Sequence, residues 1–126
     1  MTKLSQAIPV AHVIVTDRER GVAWYRDTLG LEHRTADEFG DFFGWSSGLL
    51  RLTAMPDHRP SGHPVLGWHV GDIHAAVAEL KARGVAMTIY EGMGQDTDGI
   101  WAAPGSGTKV AWFADCDGNC LSLSQG

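Results

Sequence analysis

The residues of this sequence that could carry out chemistry include its two cysteines. Cys116 and Cys120 lie four residues apart, with Asp117, Gly118 and Asn119 between them. As a metal pair, the two cysteines lack the second cysteine or histidine pair that would make their spacing specific for a metal site. We therefore expect reduced thiols that are incidental core or turn residues, with a reactive thiol facing a pocket as the alternative.

A glycine-rich stretch, GMGQDTDGIWAAPGSGT, resembles no catalytic loop. It lacks the GxxxxGK[ST] spacing of a phosphate-binding loop and precedes a strand-like run rather than a helix. No GxSxG occurs, so a serine nucleophile elbow is not expected. Trp101 of this stretch could close over a ligand or pack on the edge of a sheet. Trp68 and Trp112 lie in apolar strand-like runs and are expected in the core.

Arg51 is a candidate anchor for an anionic ligand. It lies in the strand-like run GLLRLTAMP, and a guanidinium group can hold a carboxylate, sulfate or phosphate through two parallel hydrogen bonds. The alternative is an internal ion pair with an acidic residue such as Glu32 or Glu91. The substitution Arg51→Ala would distinguish the two interpretations. It should weaken the binding of an anionic ligand if Arg51 is an anchor, and it should lower stability if Arg51 forms an internal ion pair.

The composition indicates a folded domain and argues against nucleic acid and membranes as its partners. The 126 residues are 44% hydrophobic and 20% charged, which is ordinary for a globular domain. The net charge of −5 comes from dispersed residues, so the clustered basic face that nucleic acid requires is not expected. No apolar run approaches the roughly 20 residues that cross a bilayer, and the first residues lack the apolar core of a secretory signal. We therefore expect a cytoplasmic protein that binds neither nucleic acid nor membranes.

The elements that must position these side chains occur twice. PVAHVIVTD ends in Asp17, a good helix N-cap, and PVLGWHVGD ends in Asp72 in the same way. An amphipathic helical pattern follows each aspartate and stops at a glycine, Gly30 in the first half and Gly84 in the second. The two aspartates are 55 positions apart, nearly half the chain, which indicates an internal duplication.

Three strand-like stretches follow each predicted helix. They are LEHRTAD, FGDFFGWSS and GLLRLTAMP in the first half, and VAMTIYE, TKVAWFAD and NCLSLSQ in the second. A proline-rich linker separates the two modules, and residues 92–107 form a glycine-rich loop. The sequence predicts an α+β fold of paired βαβββ modules, approximately residues 8–56 and 64–125, within a single domain of residues 1–126.

Three motifs make the chain resemble the vicinal oxygen chelate superfamily, which includes glyoxalase I, bleomycin resistance proteins, fosfomycin resistance enzymes and extradiol dioxygenases. These motifs are WYRDTLGL, AAVAELKARGV and FADCDGNCLSL, the last similar to the family's aromatic-x-Asp-Pro-Asp-Gly-Asn-x-x-Glu-Leu ending. The resemblance covers almost the whole chain. It implies two modules that face each other across a concave surface holding a small molecule or, in some members, a metal with its substrate. It also implies a homodimer, with the pocket inside one chain or shared between two.

The resemblance further implies where a divalent metal ion would bind. Metal-dependent members take His or Gln from the first strand of each module and Glu from the last, so that the ion can chelate two substrate oxygens. This sequence has Val10, Arg51, Val65 and Ser122 at those positions, and none of them suits a divalent ion. We therefore expect no metal cofactor, and the resemblance then implies metal-free ligand binding, as in bleomycin-resistance-like proteins.

Two histidines keep a displaced metal site open as an alternative. Side chains alternate along a strand, so His12 should share a face with Val10, and His69 should share a face with Val65. The candidate third donors are His33, His58, His63 and Glu91. Such a site would make the chain a glyoxalase-, isomerase- or dioxygenase-like enzyme. Pocket lining or a structural role is the simpler interpretation of both histidines, because a metal site needs three or four convergent ligands.

The preferred function is therefore metal-independent binding of a small aromatic or amphipathic molecule, such as a drug or a metabolite that the protein sequesters. The alternatives are the enzyme with a displaced metal site and an assembly or regulatory partner with a vestigial pocket. No catalytic residue is assigned. The predicted ligand-binding residues are His12, Arg51, Thr53, His69, Trp101 and Ser122.

Overall fold

Two compact units make up the chain. The computed structural model describes residues 3–45 and 47–126, and the contacts between residues divide the chain between His58 and Arg59. One predicted module falls inside each unit. That the two modules form a single domain stays a prediction.

The first unit is a four-stranded sheet with one short helix. Its strands are β1 (Val10–Val15), β2 (Glu32–Asp37), β3 (Gly40–Trp45) and β4 (Gly48–Ala54), in the order β1-β4-β3-β2. β1 runs parallel to β4, and the other neighbouring strands are antiparallel. Helix α1 (Arg18–Ala23) follows β1 and continues into a π-helical turn at Trp24–Thr28.

The second unit has the same topology. Its strands are β5 (Pro64–His69), β6 (Trp101–Ala102), β7 (Lys109–Ala114) and β8 (Cys120–Gln125), in the order β5-β8-β7-β6, and helix α2 (Ile73–Ala82) follows β5. The parallel pair is again formed by the first and last strands. The predicted α+β fold of paired βαβββ modules is confirmed. In the described part of the chain, neither helix has the length and apolar character needed to cross a membrane.

Both helices begin at the aspartates that the sequence identifies as N-caps. The Asp17 carboxylate accepts a hydrogen bond from the Arg20 N–H at 3.0 Å, and the Asp72 carboxylate accepts one from the Ala75 N–H at 3.1 Å. Beyond α2, Gly84 has a φ of +87°, a backbone conformation that glycine adopts without steric cost. Local capping signals therefore determine where these helices begin and where α2 ends.

Replacing Asp72 with alanine is expected to lower the free energy of unfolding by about 1 kcal/mol, because the Ala75 N–H would lose its side-chain acceptor. Urea unfolding followed by far-ultraviolet circular dichroism measures the difference. The control is Asp72→Ser, which keeps an acceptor at the same position and should retain most of the stability. Equal losses in the two variants would contradict a capping role for this side chain.

Alternating side chains on the strands form the core of each unit on one face of its sheet. In the first unit, Gly21 of α1 lies so close to Val15 that a β-carbon would come within 2.7 Å of a Val15 methyl group. Helix α1 thus packs on the face that carries the buried side chains. In the second unit α2 contacts β7 and β8. The buried apolar strand residues include Val13, Val15, Phe43, Leu50 and Leu52 in the first unit, and Leu66, Ala111, Phe113, Leu121 and Leu123 in the second.

The predicted strand VAMTIYE is wrong. Residues 85–91, all of them described, form no strand, and Met87 makes only an isolated bridge to Phe113. The Gln95 side chain gives the reason, since its amide donates to the Thr88 carbonyl at 2.9 Å and accepts from the Tyr90 N–H at 2.7 Å. These two backbone groups are therefore bonded to a side chain rather than to a neighbouring strand.

A short edge strand lies inside the segment predicted to be a glycine-rich loop. Trp101 and Ala102 form β6 and pair with Val110 and Lys109 of β7. The expectation that Trp101 lies in a loop without strand structure is therefore wrong. Its half-buried position on the edge of the sheet corresponds to the packing alternative for this residue.

Candidate functional site

Three of the six predicted binding residues share one face of the first sheet. His12 lies directly opposite Arg51 in the pairing of β1 with β4, and Thr53 follows two residues later in β4. The Arg51 guanidinium donates to both carboxylate oxygens of Asp37, at 2.9 and 3.0 Å, and lies 4.5 Å from the centroid of the Phe42 ring. The Arg51 side chain is only 13% exposed. Two of its donors are thus already bonded within the protein.

The partner of Arg51 differs from those considered from the sequence. The internal ion pair forms with Asp37 of β2 rather than with Glu32 or Glu91. Hydrogen bonds from Arg51 and from the backbone N–H groups of Phe39 and Gly40 lower the pKa of Asp37 to about 2. Asp37 therefore joins the β2–β3 turn to β4, which favours a structural role for the pair.

Replacing Asp37 with asparagine is expected to lower stability at pH 7, because the substitution removes the negative charge that pairs with the Arg51 guanidinium. The folded pKa of about 2 lies below the ordinary value of 3.8, so this contribution is present above about pH 4 and disappears as the pH falls towards 2. Urea midpoints of both proteins at several pH values measure the effect. The difference should shrink between pH 4 and pH 2, whereas the exposed neighbour Glu38→Gln should change little at any pH. A difference independent of pH would contradict the ion pair.

A cluster of three aromatic side chains lies on the second sheet, and we call Tyr90, Trp101 and Trp112 the aromatic cluster. The Trp112 ring is 5.5 Å from Tyr90 in an edge-to-face arrangement and 6.4 Å from Trp101 at a tilt of 41°. Trp112 alternates with the buried Ala111 and Phe113, so it lies on the face away from α2. The cluster is partly open to solvent, with Tyr90 40% exposed.

Polar side chains lie beside the aromatic cluster on the same face. Ser122 pairs with Trp112 on one side and with Gly67 on the other, and Ser124 pairs with His69. The His69 Nδ1 atom is 3.4 Å from the Ser124 hydroxyl. A β-carbon on Gly67 would come within 2.5 Å of the Ser122 hydroxyl, so the glycine leaves the space that this hydroxyl occupies. The structure thus brings His69, Ser122 and Trp101 onto one surface.

Cys120 adds a thiol to this surface. Its sulfur lies 3.9 Å from the Tyr90 hydroxyl, and burial together with this contact raises the pKa of Tyr90. Both cysteines are thiols, and Cys116 lies in the β7–β8 turn. For Cys120, the structure supports the alternative in which a thiol faces the candidate site.

Two members of the aromatic cluster, Tyr90 and Trp112, were not predicted from the sequence. Trp112 was expected in the core, although its alternation with Ala111 and Phe113 was a signal that it lies on the other face. Trp68 does lie on the core side, where its ring stacks 6.4 Å from Phe113. No sequence signal identified Tyr90, because its segment was expected to be a strand.

In the first unit, the buried carboxylate of Asp41 is hydrogen-bonded to His33, one of the candidate metal donors. Asp41 is 5% exposed and bonds to the Arg18 guanidinium and the His33 ring, each at 2.7 Å. Burial opposes ionisation, but the hydrogen bonds from His33 and Arg18 outweigh it and lower the pKa of Asp41. His33 pairs with Phe43 on the core face, so within this unit it does not join His12. A cavity of about 480 Å³ borders Arg18 and Asp41. Arg18 also donates to three backbone carbonyls, so its donors are bonded within the protein.

One group of potential metal ligands occurs on the exposed surface of the second unit. In residues 3–45 and 47–126, the donor atoms of His74, Asp96 and Asp98 lie within 4.8 Å of one another. Asp98 forms an ion pair with Lys81 at 2.7 Å, and His74 lies 3.3 Å from the Lys109 ammonium. Two lysines therefore supply the positive charge at this group, and neither His12 nor His69 belongs to it.

Comparison with known proteins places the chain in a family. The model of the Glyoxalase/Bleomycin resistance protein/Dioxygenase superfamily matches residues 7–123. The chain belongs to this superfamily. No curated protein matches the chain in sequence.

Several solved structures share this superfamily fold. A superfamily member from Sphaerobacter thermophilus is 25% identical, with a TM-score of 0.69 and coverage of 95% of this chain and 97% of that one. The fosfomycin resistance protein FosX from Listeria monocytogenes is 14% identical, with a TM-score of 0.72 and coverage of 96% and 93%. Lactoylglutathione lyase from Agrobacterium tumefaciens is 20% identical, with a TM-score of 0.67 and coverage of 98% and 96%.

The metal positions implied by the superfamily resemblance carry unsuitable side chains in this member. In the first unit, Val10 is aliphatic and Arg51 is a cation bonded to Asp37. In the second unit, Val65 is aliphatic and Ser122 is a neutral hydroxyl beside Gly67. A divalent ion needs several anionic or imidazole donors, so this donor set does not fit one.

Proposed function

We propose that this chain is a metal-independent binding protein for a small planar molecule, with its binding surface on the second sheet. The single observation that carries the proposal is the half-exposed aromatic cluster of Tyr90, Trp101 and Trp112 on the face away from α2. Clustered aromatic side chains offer a large apolar contact area with few degrees of freedom. Hydroxyl and imidazole groups next to them could orient a ligand.

Superfamily membership by itself does not separate a binding protein from an enzyme. Among the similar structures, one is named for fosfomycin resistance and another for a lyase. The side chains of this member favour binding over metal-assisted catalysis, because the implied metal positions hold Val10, Arg51, Val65 and Ser122. Sequestration of a drug or a metabolite needs only the binding surface.

A metal-content measurement combined with a binding titration tests this proposal. The protein is purified without a histidine tag or chelators, and 2-naphthol serves as the planar probe in isothermal titration calorimetry. We expect metal well below one equivalent per chain and the same affinity before and after dialysis against EDTA. One equivalent of metal, binding that EDTA abolishes, and loss of both in His12→Ala or His69→Ala would instead establish the displaced metal site.

The same proposal includes a homodimer, as the resemblance to the superfamily implies, and a cytoplasmic location. Size-exclusion chromatography with light scattering over a hundredfold range of concentration measures the mass of the particle. A mass of one chain at every concentration would contradict the dimer without affecting the binding proposal.

A further inference from the structure

The second sheet is nearly without charge. Lys109 is the one charged residue in the strands β5, β6, β7 and β8, all of which the structure describes. Its ammonium lies 3.3 Å from the ring of His74 on α2, so it belongs to the helix side of the sheet. Among the described strand residues, the face that carries the aromatic cluster therefore holds no Asp, Glu, Lys or Arg.

The corresponding face of the first sheet is different. There the Arg51 guanidinium and the Asp37 carboxylate form a bidentate ion pair. The two units thus share a topology but not the polarity of this face. The neutrality of the second sheet is consequently a property of its own residues and not of the fold.

A charged ligand would lose more hydration free energy on this face than it would gain from contacts with the protein. Contact with Trp112 and Tyr90 removes water from the ligand. For an ion this desolvation is costly, and the strands carry no opposite charge on this face that would offset the cost. The attraction of a cation to an aromatic ring is weak where water still reaches the ring. Glu91, beside Tyr90, is exposed to solvent, so its charge is screened.

The hydrogen-bonding groups beside the aromatic cluster are arranged along one strand. Ser122 and Ser124 are two residues apart in β8 and lie on one face, which separates them by about 7 Å. This is about the length of two fused aromatic rings. Each hydroxyl can donate and accept a hydrogen bond, and so can the pair of nitrogens of His69 when its ring is neutral.

We infer that the ligand of this face is an uncharged, planar molecule of about two fused rings, with hydrogen-bonding groups along one edge. The flat face would pack against Trp112, and the polar edge would meet Ser122 and Ser124. This inference rests on the proposed function, since it describes the occupant of the same site.

Three probes of similar size but different charge test the inference. They are 2-naphthol, which is neutral at pH 7, the anion 2-naphthoate and the cation N-methylquinolinium. Calorimetry is performed with the unmodified protein and with Trp112→Ala. We expect 2-naphthol to bind at least tenfold more tightly than either ion, and we expect Trp112→Ala to weaken its binding.

Further variants locate the selectivity on this face. The double variant Ser122→Ala, Ser124→Ala should weaken 2-naphthol binding severalfold and leave naphthalene binding unchanged. Ser122→Asp should reverse the preference towards N-methylquinolinium. Ser61→Ala, in the linker, is the control. It should change neither the affinity for 2-naphthol nor the preference between the neutral and the charged probes.

The outcomes separate this inference from the proposed function. If either ion binds as tightly as 2-naphthol and that binding depends on Trp112, the inferred ligand class is wrong and the proposed binding site stands. If no probe shows binding that depends on Trp112, the proposed function is wrong, and the inferred ligand class is overturned with it.

Discussion

Replacing Trp112 with alanine is expected to weaken the binding of 2-naphthol by about thirtyfold, which corresponds to about 2 kcal/mol. Trp112 is the centre of the aromatic cluster, because both Tyr90 and Trp101 contact its ring. Its removal would take away the main apolar contact of the ligand and the support of the two neighbouring rings. Fluorescence quenching of the remaining tryptophans and calorimetry both measure this loss.

A second tryptophan of the same unit provides the control. Trp68 stacks on Phe113 on the core side of the sheet, so Trp68→Phe should lower stability slightly and leave the affinity for 2-naphthol unchanged. Trp112→Phe should retain part of the affinity, since it keeps a smaller ring at the same position. Equal affinities in the unmodified protein and in Trp112→Ala would refute the assignment of the ligand to this face.

Replacing Asp115 with alanine is expected to lower the free energy of unfolding by about 3 kcal/mol. Asp115 is 6% exposed and accepts three hydrogen bonds, from the Asp117 N–H, the Asn119 N–H and the Asn119 side-chain amide, at 2.8 to 2.9 Å. Asn119 is only 2% exposed, so water cannot readily replace the lost acceptor. Each buried polar group left without a partner costs about 1 to 3 kcal/mol.

Urea unfolding measured by tryptophan fluorescence tests this expectation. Asp115→Asn keeps one acceptor oxygen and should give an intermediate loss. The exposed Asp98→Ala, which removes the surface ion pair with Lys81, should change stability little. A loss in Asp115→Ala no greater than that in Asp98→Ala would show that the β7–β8 turn does not depend on this carboxylate.

Local patterns in the sequence predicted the fold well. Asp17 and Asp72 cap the helices as expected, and alternation placed His12, Arg51 and Ser122 on the faces away from the buried residues. These features depend on hydrogen bonds within a few residues or on the direction of side chains along one strand. Such signals can be read without knowing which strands are neighbours.

The errors lie in residues 85–102, where contacts that composition does not reveal decide which residues pair with β7. VAMTIYE has the composition of a strand, but the Gln95 side chain bonds to backbone groups within it. The outer edge of β7 then pairs with Trp101 and Ala102, which had been expected in a loop. Propensity alone does not decide which of two segments occupies a free sheet edge.

The sequence by itself determined the duplicated topology, the helix caps and the faces on which His12, Arg51 and Ser122 lie. Only the tertiary structure decided the partners, since it showed that Arg51 reaches across β3 to Asp37 and that Tyr90 and Trp101 converge on Trp112. The physical reason is that topology and side-chain direction follow from local backbone geometry. Contacts between non-adjacent segments depend instead on strand register and on where the connecting segments lie.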